Sequence, residues 1–360
     1  MNLLILVLTG TLVLSTIIPL SRSPRWWIRV LDFPRLQLLF LASIPLALGF
    51  FYGEGFPQVV AIVLSTTCLV YHLYWIYPYT PLAKVEVKRA PPLMRDSTIS
   101  ILTANVLMTN RNAASLLDIV RQDDPDLLLA LETDEWWERQ LTVLEKDYPY
   151  TVKCPLDNLY GMHVYSKLAL NESKIEYLVQ DDVPSIHTEI ELTDRSRIRA
   201  HFVHPYPPVP EYSNSSGERD AELLVIARSL QECDVPIIVA GDLNDVAWSE
   251  TTRLFRKISG LLDPRVGRVM YNTFNAKHWF LRWPLDHLFH SNHFRLKNIS
   301  RLGKFGSDHF ALYTQLVLCH KNPSTTQGLA TDDGDEEFAN QRIDQHDVDI
   351  TDVPFNEAEK

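Results

Sequence analysis

Apolar residues are arranged in two different ways along this chain. Over the first 80 residues they run almost unbroken. Leu3–Leu20 and Leu36–Gly53 are 18-residue stretches without a charge, and Val59–Ile76 is a third, with His72 as its one strongly polar residue. Apolar runs of that length match the hydrocarbon thickness of a bilayer, so transmembrane helices are predicted at about 3–20, 36–53 and 59–76. A cleaved signal peptide fits the first run poorly, because no basic segment precedes it and two further runs follow. Trp26, Trp27, Tyr74, Trp75 and Tyr77 stand at the ends of these runs, where amphipathic rings favour the membrane interface.

From Ser97 onward the pattern changes to short β-type runs and helical stripes. "TISILTANV" reads as a strand ending near Asn105, and "DLLLALE" as one ending at Glu132. "RIRAHFVHP" ends at His204, and "IIVAGDLNDVAW" passes through Asp242 and Asn244, which alternation along an extended chain would point to one face. "PLDHLFHS" carries Asp286, and Asp308 with His309 precedes the last strand in "GSDHFALYTQLVL". Between them, Ala113, Leu116, Leu117 and Val120 form one helical stripe and Leu223, Ile226, Ala227 and Leu230 another. Interleaved strands and helices predict an α/β domain, in which sites gather at strand ends. The organisation expected is a membrane anchor (1–77), a Pro-rich linker (78–96), a folded domain (97–319) and a tail (320–360).

Charge changes the picture at two places. The formal net charge is −11, but residues 321–360 hold 11 Asp and Glu against 3 Lys and Arg, which leaves the rest near −3. That acidic, aromatic-poor segment is expected to be disordered, and the body lacks the basic excess of a protein that grips a long polyanion. In the membrane region, Arg22, Arg25, Arg29 and Arg35 oppose Asp32, and Lys84, Lys88, Arg89 and Arg95 oppose Glu86. Two crossings separate these basic stretches, so they share a side. The positive-inside rule puts that side, and the domain, in the cytoplasm; the outer face is the alternative. Cys68, Cys154, Cys233 and Cys319 match no zinc or redox spacing and read as buried thiols.

Each polar strand end has an ordinary explanation as a cap, a turn or a surface pair, but six such ends in one domain suggest a common site. Glu132 is a hard oxygen ligand suited to Mg²⁺, with Mn²⁺ as a substitute, and Asn105 and Asp308 would complete the shell. A cation there would neutralise a phosphoryl oxygen. His309 is a candidate general base oriented by Asp286, Asn244 and His204 are candidate donors to the transition state, and Asp242 would orient or deprotonate the attacking water.

The ordered set "LTANV", "LLALETDEWW", "GMHVYSKLAL", "HFVHPYPP", "VAGDLNDVAW", "PLDHLFHS" and "GSDHFAL" resembles the endonuclease/exonuclease/phosphatase superfamily over nearly all of residues 97–318. The resemblance implies a four-layer α/β sandwich with two central β-sheets and Mg²⁺-dependent phosphoester hydrolysis. It places Asn105 and Glu132 at the metal with Asp308 as a metal-side acid, and His204 on the phosphate. Asp242 and Asn244 fall at the nucleophile, Asp286 is the orienting acid and His309 the catalytic histidine. Which of Asp242 and His309 takes the water's proton stays open. His163 stands where an aliphatic or small residue is common, and His204 where abasic-site nucleases carry Tyr. The anchored architecture looks like that of bacterial members, which implies a cell membrane location.

Three functions follow. The first is a membrane-anchored phosphodiesterase or phosphatase acting on a small phosphoester or a lipid headgroup. The second is a nuclease acting on DNA or RNA. The third is a non-catalytic membrane module, disfavoured because no motif position is lost. The bilayer is the one further partner that the sequence indicates.

Overall fold

Alternation along the strands decides the architecture. The computed structural model describes residues 1–91, 97–208, 214–231, 233–319 and 327–355. Pro92 and Arg95 of the expected linker, and parts of the expected tail, lie outside the described residues.

The chain begins with α1 (Asn2–Ile17), the short α2 (Trp26–Arg29), α3 (Arg35–Tyr52) and α4 (Gly55–Ile76). α1, α3 and α4 pack on one another, and with their flanking turns they are long and apolar enough to cross a membrane. Within this bundle His72 shares a 3.0 Å hydrogen bond with Thr16.

The domain is built from β1 (Thr98–Asn105), α5 (Ala113–Asp123), β2 (Leu127–Leu131), α6 (Glu135–Leu141), β3 (Tyr150–Cys154), β4 (Met162–Ser166) and β5 (Ala169–Glu176). It continues with β6 (Ser185–Glu191), β7 (Arg197–Val203), α7 (Gly217–Ser229), β8 (Ile237–Asp242), α8 (Glu250–Ser259), β9 (Asp286–His290), β10 (Phe294–Arg301) and β11 (Leu312–Leu318). A final helix, α9, spans Asp335–Ile343.

Six strands form one mixed sheet in the order β10-β11-β1-β2-β4-β3, and five form a second in the order β5-β6-β7-β8-β9. Ile99, Ile101, Leu127, Leu129, Ala200, Phe202, Ile238, Ala240 and Leu288 meet in the core between the sheets. The opposite parity faces the helices. Leu102, Ala104, Leu128 and Ala130 pack on α5 and α6, while Ile237, Val239 and Phe289 pack with residues of α7, α8 and α9. The result is the four-layer sandwich expected from the resemblance. α5 buries the stripe Ala113, Leu116, Leu117 and Val120 as its period predicts. α7 is buried nearly all round, because α8 and α9 cover what would otherwise be its outer face.

Two segments differ from expectation. Residues 327–355 are not a disordered tail: Ala339, Ile343 and Val353 join the core over α7. Their acidic neighbours are held by cations of the domain, Asp332 and Asp335 by Lys257 and Glu336 by Arg228. Net charge misled here, because it counts carboxylates and not their partners. The described part of the linker is docked. Tyr79 is buried and donates from its hydroxyl to the Ala247 carbonyl at 2.6 Å, and Glu86 pairs with buried Arg256. The N-terminal helical region is joined to the domain as well, since Trp248 Nε1 donates to the Asp32 carbonyl at 2.8 Å.

Candidate active site

The inter-sheet core turns polar at one end. Asn105 continues the parity of Ile99 and Ile101, and Asp242 that of Ile238 and Ala240. Asp286 shares its parity with Leu288, and His204 follows that of Ala200 and Phe202 just beyond β7. Strand pairing then joins them: β1 runs parallel to β2, β7 parallel to β8, and Asp242 lies directly opposite Asp286 across β8 and β9. Asn105, His204, Asp242, Asp286 and His309 are all buried.

Asn105 stands between two carboxylates, donating from Nδ2 to Glu132 Oε1 at 2.7 Å and to Asp242 Oδ2 at 3.0 Å. Its Oδ1 accepts the Leu107 N–H. On the other side of Asp242, His309 Nε2 lies 3.5 Å from Oδ2 and His204 Nε2 4.0 Å from the same oxygen. His309 Nδ1 is 2.8 Å from Asp286 Oδ2. The carboxylate–imidazole–carboxylate chain Asp286–His309–Asp242 therefore crosses the floor of the site, with Asn105 linking it to Glu132.

Two turns depart from extended geometry. Glu132 has φ 59° and Asn244 φ 49°, both left-handed. The expectation that alternation would aim Asp242 and Asn244 at the same face does not hold, because the strand ends at Asp242. Asn244 folds back instead: its N–H donates to Asp242 Oδ1 at 2.9 Å, and its Nδ2 to the Pro205 carbonyl at 2.9 Å. It ties the Asp242 turn to the segment after His204. At Gly241, φ is 151° and a Cβ would sit 1.8 Å from the Val203 carbonyl oxygen, so no side chain fits beside the neighbouring strand. Glu132 does not open the following helix; Asp134 is the N-cap of α6.

Burial and neighbouring charge divide the titrating groups. Burial disfavours a charged His309, but the Asp286 and Asp242 carboxylates outweigh it and raise His309 to about 10. Burial likewise opposes charge on Asp242, and there the charged His309, with the hydrogen bonds from the Asn244 N–H and the Asn105 amide, prevails and holds it below the ordinary carboxylate range. Asp286 is raised by burial, against the pull of His309. Burial lowers His204 to about 4, so it is a neutral ring, and its Nδ1 is buried without a partner among the described residues. Glu132 is raised to about 7 by burial, opposed by the Asn105 hydrogen bond.

The site suits a hard divalent cation. Glu132 Oε2 is buried and takes no hydrogen bond among the described residues. The Asp242 and Asp308 carboxylates lie near enough to Glu132 to raise it further. Oxygen donors with surplus negative charge and an orphaned oxygen fit such an ion. Ligand atoms of Asp242, Asp286 and His309 also lie within 4.8 Å of one another, but the hydrogen bond between His309 and Asp286 already occupies that cluster.

Several supporting residues carried no distinctive sequence signal. Ser307 Oγ donates to the Asn105 carbonyl at 2.8 Å and accepts the His309 N–H, joining the two ends of the domain's sequence. Asp286 and His287 are not a surface pair; both are fully buried. Arg265 donates to His287 Nδ1 at 2.6 Å, so His287 Nε2 donates to the Asp245 carbonyl at 2.9 Å and steadies the turn after Asp242. Arg219 holds the same turn through the Asn244 carbonyl at 2.8 Å. Phe274 packs its ring 5.0 Å from that of His309. His163 does not reach the site. It lies on the strand face of Ala130 and Tyr165, where burial lowers it to about 3 and keeps it uncharged.

Comparison with known proteins agrees with this fold. The sequence profile of the "Endonuclease/Exonuclease/phosphatase family" matches residues 102–309. No curated protein matches the chain. An endonuclease/exonuclease/phosphatase from Beutenbergia cavernae shares 14% identity and superposes with a TM-score of 0.51, covering 62% of this chain and 72% of its own. The catalytic domain of human Nocturnin with a bound sulfate anion gives 16% identity and a TM-score of 0.51, over 64% of this chain and 99% of that one. D. rerio TDP2 complexed with single-strand DNA product gives 16% and 0.51, over 61% and 99%. At these identities the likeness is one of fold.

Proposed function

The chain belongs to the endonuclease/exonuclease/phosphatase family, whose members are metal-dependent phosphoester hydrolases, and on that premise we propose that it is a membrane-anchored phosphodiesterase or phosphatase dependent on Mg²⁺. The observation that carries this reading is the line Asp286–His309–Asp242–Asn105–Glu132 at the polar end of the inter-sheet core, joined by hydrogen bonds at every link except the His309–Asp242 ion pair at 3.5 Å.

Glu132 would hold the cation, with Asp308 and Asn105 beside it. The cation, when bound, supplies charge neutralisation to a phosphoryl oxygen. Asp242, ionised and buried, orients the attacking water and accepts its proton. His309 carries a proton on Nε2 toward the reacting phosphate, and Asp286 fixes the ring through Nδ1. His204, neutral, donates a hydrogen bond to a non-bridging oxygen, and Asn244 keeps the Asp242 turn and the His204 segment in register. The geometry supports Asp242 as the base and His309 as a charged donor, because two carboxylates face the one imidazole.

The substrate reading rests on the near-neutral body and on the apolar helices. It favours a small or lipid-borne phosphoester. The DNA product bound to TDP2, a structural neighbour, keeps a nuclease as the second reading. A panel of phosphoesters separates the two. With Mg²⁺ present, we expect turnover of small or lipid phosphodiesters and weak DNA binding that changes little with salt. A nuclease contacting several phosphates would instead lose affinity steeply between 50 and 200 mM salt, by about 10³-fold or more.

With three crossings the domain would share the side of the arginine-rich segment after α1, and the positive-inside rule supports the cytoplasmic face of an inner membrane for both. Protease added to intact cells should leave residues 97–319 uncut, while permeabilised cells should lose them. Cleavage in intact cells would put the domain on the outer face.

A further inference from the structure

A hairpin between Phe274 and Trp283 joins the site's rim to the start of α3. Phe274 N–H donates to the Trp283 carbonyl at 3.0 Å, and Asn275 N–H to the Leu281 carbonyl at 3.1 Å. Beyond that closure the tip Lys277, His278, Trp279 and Phe280 is exposed, Trp279 to 81% and Phe280 to 54%. The two rings meet edge to face at 5.4 Å. Such large apolar side chains held out on a short hairpin are unfavourable in water unless something covers them.

The surroundings say what covers them. Gln37, in the first turn of α3, donates from Nε2 to the Phe280 carbonyl at 2.8 Å. The Trp283 ring packs against Phe33, just before α3, at 5.8 Å. Gln37 stands two residues after the first residue of α3, about 3 Å along the helix axis. One turn further on, the outward face of α3 shows Phe40, Leu41 and Ile44, all exposed. The tip thus lies level with the entry of a membrane-length helix and is continuous with its lipid-ward face. Tryptophan favours that depth, and the exposed Lys277 of the tip suits phosphate headgroups. The other side of the hairpin borders the chemistry: Phe274 packs on His309, and Ala276 N–H donates to the Asp308 carbonyl at 2.6 Å.

We propose that this hairpin seats Trp279 and Phe280 in the headgroup–acyl boundary of the bilayer that α1, α3 and α4 cross, so that the site opens onto phosphoesters carried by the lipids of that bilayer. The proposal rests on the membrane-anchored hydrolase reading and narrows its substrate to membrane-resident phosphoesters.

The test uses the full chain in phosphatidylcholine nanodiscs, with acyl chains either plain or brominated just below the carbonyls. Subtracting the emission of Trp279→Phe from that of the unaltered protein isolates Trp279. Its signal should fall at least about twofold in brominated discs and resist aqueous iodide. Equal emission in both discs, with quenching by iodide, overturns the docking. In the same discs, Trp279→Ala/Phe280→Ala should lower turnover of a phospholipid by at least about 10-fold and leave soluble bis(4-nitrophenyl) phosphate within twofold. Equal losses on both substrates, or no loss on the lipid, overturn the substrate claim. A protein inert toward every phosphoester but with Trp279 quenched by bromine would retain the docking and reject the hydrolase reading instead.

Discussion

Glu132→Ala is expected to reduce Mg²⁺-dependent turnover by at least ~10³-fold without unfolding the domain. Loss of a cation that stabilises phosphoryl charge removes several kcal/mol from the transition state, at about 1.4 kcal/mol per tenfold. The fold should tolerate the change. Glu132 contributes no apolar packing to either sheet core, and its Oε2 has no partner to lose among the described residues. The sign of the pH effect supports this. Its carboxyl is raised to about 7 in the folded protein, so it contributes stability below its unfolded value and loses that contribution as pH rises through about 7. At pH 8 without metal, the thermal midpoint of Glu132→Ala should equal or exceed that of the unaltered protein. Added Mg²⁺ should raise the midpoint of the unaltered protein, because an ion that binds only the folded state stabilises it, and should do so far less in the variant. Full activity at saturating Mg²⁺, or an unchanged metal-induced shift, would remove Glu132 from the ligand set.

His309→Ala is expected to cost at least ~10²-fold in kcat, the scale of a lost acid–base partner. Asp286→Asn should cost less, since the ring remains but loses the carboxylate 2.8 Å from Nδ1. The double variant should be little worse than His309→Ala, because residues that act as one unit are non-additive. The pH profile adds a signature that a merely structural aspartate would not produce. Among the charges that raise His309 to about 10 against burial, Asp286 is the largest. Without it the imidazolium should persist over a narrower range, so Asp286→Asn should lose activity at lower pH on the alkaline side than the unaltered protein. Multiplicative losses with an unshifted alkaline limb would make Asp286 a strand residue with no part in holding His309. Asp242→Asn, which changes the group on the water, should be severe by a separate route.

Much of this site could be read from local pattern. The apolar parity of "TISILTAN" and "IIVAGD" requires that Asn105 and Asp242 face the same way as the core residues before them, and both do. The membrane-length helices and the α5 stripe follow from the same period counting. Where local reading failed, a partner or a backbone angle was responsible. Asn244 leaves the strand in a left-handed turn, and the acidic segment around α9 is ordered by Lys257, Arg228 and a few apolar contacts. His163, which reads from the sequence as a packed strand histidine more than a pocket one, is packed on the face of Ala130 and Tyr165.

Period and composition are properties of neighbours in sequence, so they could say which side chains face inward and which segments suit a membrane. They could not bring Asn105 to within 3.0 Å of Asp242, 137 residues away, or set Ser307 on the Asn105 carbonyl. Those contacts exist because parallel and antiparallel registers align strands distant in the chain and two sheets press their inner faces together. The same long-range packing carries a hairpin from the rim of the site to the first turn of α3, a juxtaposition that no spacing in the sequence records.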